Sequence, residues 1–116
     1  MCRVSHLSEQ AFLVLTALAD EPRHGYGVLQ EVDRLSDGRV RLAAGTLYGV
    51  LDRLTRQGLV VVDREEVRNS RLRRYYRLSD DGARTLAAEA ARMESSARTA
   101  LTRLGKPAPS TGGGNA

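Results

Sequence analysis

Apolar positions fall into four helical stripes and two short alternating runs. Between residues 8 and 20, Ala11, Phe12, Leu15, Leu18 and Ala19 recur at i, i+1, i+4, i+7 and i+8, one face of a helix. Ser8 stands where an N-cap is wanted, and Asp20-Glu21-Pro22 ends the segment, because Pro disfavours helix in the residue before it. A second helix is predicted from about 25 to 36, with Val28, Leu29, Val32 and Leu35 on its stripe. Gly25 and Gly27 in its first turn weaken it by roughly 1 kcal/mol each relative to Ala, which implies a close backbone approach there. Asp37-Gly38 reads as a turn. A third helix covers about 44–57, with Leu47, Val50, Leu51 and Leu54 pointing one way and Gly58 as a left-handed C-cap. Its opposite face carries Gly45, Gly49, Asp52 and Arg56, flanked by Thr46, Arg53 and Tyr48, and has almost no aliphatic bulk.

The period then changes. Leu59-Val60-Val61-Val62 is β-branched and short, and Leu72 to Leu78 alternates; both predict strands. The polar residues 64–71 between them read as a loop with a basic tip. Tyr76 and Leu78 are expected to face the core, and Arg73, Tyr75 and Arg77 to face out. Ser79-Asp80-Asp81-Gly82 opens a last helix that runs to about Leu104. Along it Ala83, Leu86, Ala90, Met93, Ala97, Ala100 and Leu104 repeat at alternating spacings of three and four, a heptad seam fitted to a partner helix. Residues 105–116, GKPAPSTGGGNA, are expected to be a disordered tail.

The 116 residues suffice for one small core, and burying the seam against a second copy would help it. The net charge of +4 is concentrated: residues 39–77 hold ten Arg and four acids, whereas residues 1–38 sum to −3 and residues 78–116 to +1. Seventeen of the eighteen basic residues are Arg, whose planar fork suits phosphate and guanine edges. No apolar run approaches the length of a membrane span, and the N-terminus lacks an apolar signal region, so a cytoplasmic protein without membrane association is expected. Cys2 is the one cysteine and permits no internal disulfide. His6 and His24, without clustered carboxylates, make no metal site, and no cofactor is expected. Neither a catalytic triad nor a phosphate loop is present, so the chain is not read as an enzyme. Tyr26 and His24 read as structural, the aromatic covering a helix junction and the imidazole capping a helix.

The order of elements is that of a winged helix-turn-helix: an α+β fold, mostly α, with residues 1–78 as the DNA-binding domain and 79–104 as a long C-terminal dimerisation helix. Small residues on the third helix let it sink into the major groove of double-stranded DNA. The candidate DNA-binding residues are Thr46, Tyr48, Gly49, Arg53 and Arg56 on that helix, and Arg64, Arg68, Arg71 and Arg73 on the wing. Asp52 is expected to hold Arg56 at i+4 rather than meet a base. The homodimer interface is assigned to Leu86, Ala90, Met93, Ala97, Ala100 and Leu104, and an effector pocket to Phe12, Ala90, Met93 and Ala97. A winged-helix module that binds an acidic protein instead of DNA is the alternative reading; such modules show aromatic or aliphatic anchors on the exposed helix.

The motifs His24-Gly25-Tyr26, Gly45-Thr46-Leu47-Tyr48, Leu51, Leu54, Gly58-Leu59 and Tyr75-Tyr76-Arg77-Leu78 followed by Gly82 resemble the PadR family of bacterial transcriptional regulators, over residues 8 to about 85. The resemblance implies a homodimer joined through the C-terminal helix, which binds operator DNA near a promoter as a repressor relieved by a small-molecule effector. The short tail is similar to the compact subgroup with one C-terminal helix. The chain departs from the family pattern at Gly49, where Pro is common after the Leu-Tyr pair, and at Arg23, where an apolar or small residue is common. Relatives of the compact subgroup that bind drugs place a Trp at the dimer centre; this chain has none.

Overall fold

The computed structural model describes residues 7–106. Four helices and three strands follow in the order α1 (Glu9–Ala17), β1 (Arg23–His24), α2 (Gly25–Leu35), α3 (Ala44–Arg56), β2 (Val60–Arg68), β3 (Arg71–Leu78) and α4 (Asp80–Arg103). The chain divides into two compact units, one through Leu86 and one from Ala87 onward. The fold is a winged helix, mostly helical, with one small antiparallel sheet ordered β1-β3-β2.

The core of the first unit forms where the helical stripes meet. Val14 and Leu15 of α1, Val28 and Val32 of α2, Leu47 and Leu51 of α3 and Val60 of β2 are buried, and Tyr76 of β3 closes the cluster. Ser8 caps α1 as expected, its hydroxyl accepting from the Ala11 N–H at 3.1 Å. The helix stops at Ala17 rather than 20: Leu18 takes the cap position, and the Arg23 Nε donates to the Ala17 carbonyl at 2.8 Å. Arg23 also lies 3.3 Å from Glu21 and 3.5 Å from Asp20, so its place outside the family pattern is a structural one. Leu35, expected on the buried stripe of α2, is exposed instead. Ser36, buried after α2, is satisfied through the Val40 N–H at 2.9 Å.

Two expectations about the sheet are corrected. Residues 64–68 continue β2, so the polar stretch is a two-stranded ribbon rather than a loop. Only Asn69 and Ser70 make the turn, both at positive φ (52° and 63°), which matches the twist of an antiparallel hairpin. A shift of register between Val62 and Arg64 leaves Asp63 in a bulge. The second correction is β1, not foreseen, which pairs Arg23 with Tyr76 and His24 with Tyr75.

The joint between α3 and α4 is tight. Gly58 caps α3 at φ 79°, with the Leu59 N–H returning to the Leu54 carbonyl at 3.0 Å. The Ser79 hydroxyl donates to the Gly58 carbonyl at 2.6 Å and accepts from the Gly82 N–H at 2.9 Å. At the far end α4 closes with Gly105 at φ 78° and the Lys106 N–H on the Leu101 carbonyl at 2.8 Å. The ordered cap therefore takes up the first two residues of the expected tail; residues 107–116, and Cys2 and His6 near the other terminus, lie outside the described residues.

Candidate nucleic-acid interface

Burying Leu47, Val50, Leu51 and Leu54 turns Gly45, Thr46, Tyr48, Gly49, Asp52, Arg53 and Arg56 of α3 to the surface. A Cβ added at Gly45 or Gly49 would meet nothing within 4 Å, so the outer face has very low relief. Ala43 gives the helix no side-chain cap, which leaves first-turn N–H groups available to an acceptor. Arg56 pairs with Asp52 at 2.6 Å, as the i+4 spacing predicts. Arg53 has no carboxylate within 4.0 Å among the described residues and is the uncommitted cation of this face.

Tyr48 lies over the start of α2. An ideal Cβ at Gly25 would sit 2.1 Å from its hydroxyl oxygen, so only glycine leaves room for the ring. This is the close approach that the glycines of that turn imply. His24 caps α2: its Nδ1 accepts from the Gly27 N–H at 3.4 Å. Tyr26, read as the cover of a helix junction, is instead 63% exposed, and this is a correction.

The wing is a ladder of mixed charge rather than a uniformly basic finger. Arg64 pairs with Asp63 and Glu66, each at 2.9 Å, and its guanidinium lies 4.0 Å from the centre of the Tyr75 ring. Arg74 reaches Glu65 at 3.0 Å, Arg77 reaches Asp63 at 3.2 Å, and Arg68 stands 4.0 Å from Glu66. The hydrogen bond from Arg64 holds the Glu66 carboxyl below its usual range, with the nearby charges of Arg64 and Arg68 adding to it. Arg71 and Arg73 have no carboxylate within 4.0 Å among the described residues. Tyr75 also meets His24 edge-on, with ring centres 5.3 Å apart.

Between α2, α3 and β3 lies an open groove of about 400 Å³, bordered by His24, Tyr26, Tyr48, Arg71 and Arg73, with Tyr76 at its floor. Burial, reinforced by the charges of Arg73 and Arg68, lowers the pKa of His24 from its ordinary 6.5, while Glu66 opposes the shift. The structure thus brings Tyr48, Arg71 and Arg73 to one groove, places Thr46, Gly49, Arg53 and Arg56 on the open face of α3, and leaves Arg64 and Arg68 within the ion-pair ladder. His24 and Tyr26 at the groove are the residues that sequence reasoning did not place there, because the β1–β3 pairing that carries His24, with Tyr26 following in the first turn of α2, is a contact between distant segments.

In the second unit, Ala90, Ala97 and Ala100 are exposed in the single chain, as are Met93 (43%) and Leu104 (69%). Leu86, at the end of the first unit, is partly buried against that unit's core, and Phe12 is half-buried. No described helix is long and apolar enough to cross a membrane.

A winged helix with a low-relief third helix and an arginine-bearing ribbon is the architecture of a class of transcription factors. The chain matches the PadR-like transcriptional regulator family over residues 14–88, and it belongs to that family. It is 35% identical over 88 residues to a transcriptional regulator of Mycobacterium tuberculosis, covering 76% of this chain and 78% of that one. A PadR family transcriptional regulator of Eggerthella lenta superposes with a TM-score of 0.67 at 30% identity, covering 82% of this chain and 80% of that one. Bacillus subtilis PadR, whose structure was solved in complex with operator DNA, superposes with a TM-score of 0.63 at 18% identity over 70% of this chain and 47% of that one. The chain spans 15% and 64% of the length of two further curated relatives, from Streptomyces fradiae and Lysinibacillus sphaericus. The family is one of transcriptional regulators and not of enzymes.

Proposed function

We propose that the protein is a repressor that binds a palindromic operator in double-stranded DNA as a homodimer and is released by a small-molecule effector. The observation that carries the reading is the outer face of α3, where Gly45 and Gly49 make a flat track edged by Thr46, Tyr48, Arg53 and Arg56. A rod of that relief fits the roughly 12 Å major groove, and a dimer would place two such rods about one helical turn, or a multiple of it, apart. Arg71 and Arg73 on the wing then face phosphates with their charge unspent. The exposed Ala and Met positions of α4 support pairing with a second copy, since Ala allows close approach of two helices. The complex of the Bacillus subtilis relative with operator DNA is consistent with this use of the fold.

The test is selection of bound sequences from random duplex DNA by the purified protein, followed by band shifts on the selected site. A symmetric consensus is expected, with Arg53→Ala and Tyr48→Ala each weakening binding about tenfold while the helical circular dichroism is kept. Recovery of no consensus, or unchanged affinity in both variants, would falsify the assignment of α3.

A further inference from the structure

The groove beside Tyr48 gathers the imidazole of His24 and the guanidinium groups of Arg71 and Arg73. A neutral imidazole holds one lone pair and one N–H. The Gly27 N–H points at His24 Nδ1 from 3.4 Å. Arg73 Nη1 stands 3.4 Å from His24 Nε2. Arg71 borders the same space, the Tyr26 and Tyr48 rings flank it, and neither Arg71 nor Arg73 has a carboxylate within 4.0 Å among the described residues. An acceptor carrying negative charge can bridge His24 Nε2 and the Arg73 guanidinium.

We infer that the groove is a phosphate seat, in which one oxyanion bridges His24 Nε2–H and the Arg73 guanidinium with Arg71 beside it. Two sources carry that chemistry, a backbone phosphate of duplex DNA and the phosphate of a free small molecule. In its DNA form the inference rests on the DNA-binding reading above; in its free form it stands apart from it. The groups facing His24 are Arg73 and Tyr75 on β3, Arg68 and Glu66 on β2, and the Gly27 N–H on α2, with Tyr48 of α3 across the groove. Cations outnumber carboxylates there, so the empty seat disfavours imidazolium. A bound dianion reverses that balance and raises the His24 pKa. Binding therefore favours the protonated ring, and affinity falls as pH rises through the titration of His24.

The experiment follows the His24 ring resonances by NMR in the full chain, with His24→Asn used only for assignment. Sulfate is the probe, because its own charge is constant over this pH range; a selected duplex is the second titrant. Saturable movement of the ring signals with sulfate is expected, weakening about tenfold for each unit by which the anion lifts the His24 pKa, and weakening at least fivefold in Arg73→Gln. Movement with the duplex alone identifies a DNA backbone phosphate as the occupant. Movement with sulfate that the duplex neither causes nor displaces identifies a free phosphorylated molecule. If the band shift shows DNA bound and neither titrant moves the His24 ring, the seat is disproved while the DNA-binding reading survives. If sulfate moves the ring and no duplex binds, the reverse holds. An equal response in Arg73→Gln also overturns the inference. Should that variant unfold, the pH dependence in the unaltered protein decides: sulfate affinity that does not change with pH removes His24 from the site.

Discussion

At Gly82 one hydrogen atom determines how α4 begins. A Cβ there would stand 2.0 Å from the Leu59 carbonyl oxygen and 2.9 Å from its carbon, and backbone of this kind does not step aside. Gly82→Ala is expected to destabilise the protein by about 2–4 kcal/mol, seen as a lower urea midpoint. Gly45→Ala is the contrast, with nothing near the added methyl. It is expected to raise stability by roughly 0.5–1 kcal/mol while weakening operator binding, because the methyl thickens the α3 track. A Gly45→Ala protein that binds as well as the original would show that this face does not enter the groove. Glycine spacing in the sequence pointed to close approach near Gly25; the identity of the group that approaches, the Tyr48 hydroxyl, depended on a contact across two helices and was not readable from either.

Within α3, the 100° periodicity was enough to sort the buried leucines from the outer face, and the i+4 spacing foretold the Asp52–Arg56 pair. That pair has a functional consequence. On the proposed reading Asp52 both neutralises Arg56 and presents a negative charge to DNA, so Asp52→Ala is expected to tighten binding about three- to tenfold at low salt, and less at high salt. A band-shift series at two ionic strengths checks this, and weaker binding in the variant would mean that Asp52 reads a base. The wing was legible only at its apolar ends. Residues 64–68 carry charge on both faces of the ribbon, so period-two hydrophobic alternation, the mark of a half-buried strand, is absent there. Cross-strand pairs such as Glu65 with Arg74 hold it as a strand instead. β1 has two residues, too few for any pattern, and exists because β3 offers it a partner edge.

For the whole molecule, the count of arginines overstates the charge open to a nucleic acid. Seven of the ten in residues 39–77 are paired with carboxylates, leaving Arg53, Arg71 and Arg73. Six such cations in a dimer predict a slope of log K against log salt of about −5, rather than the −7 or so expected had four per protomer been free. Fluorescence anisotropy across a salt series measures it; a slope steeper than about −7 would mean that the wing sheds its own carboxylates on binding. In the proposed dimer Ala97→Glu would place a charge between the paired α4 helices, so it is expected to weaken DNA binding in the same assay and to leave a monomer in sedimentation. One last consequence follows from the joint at Gly58, Leu59, Ser79 and Gly82. It is made of backbone atoms and a single short hydroxyl, with no long side chain to act as a spring. A rotation imposed on the first turn of α4 would therefore act directly on the C-cap of α3.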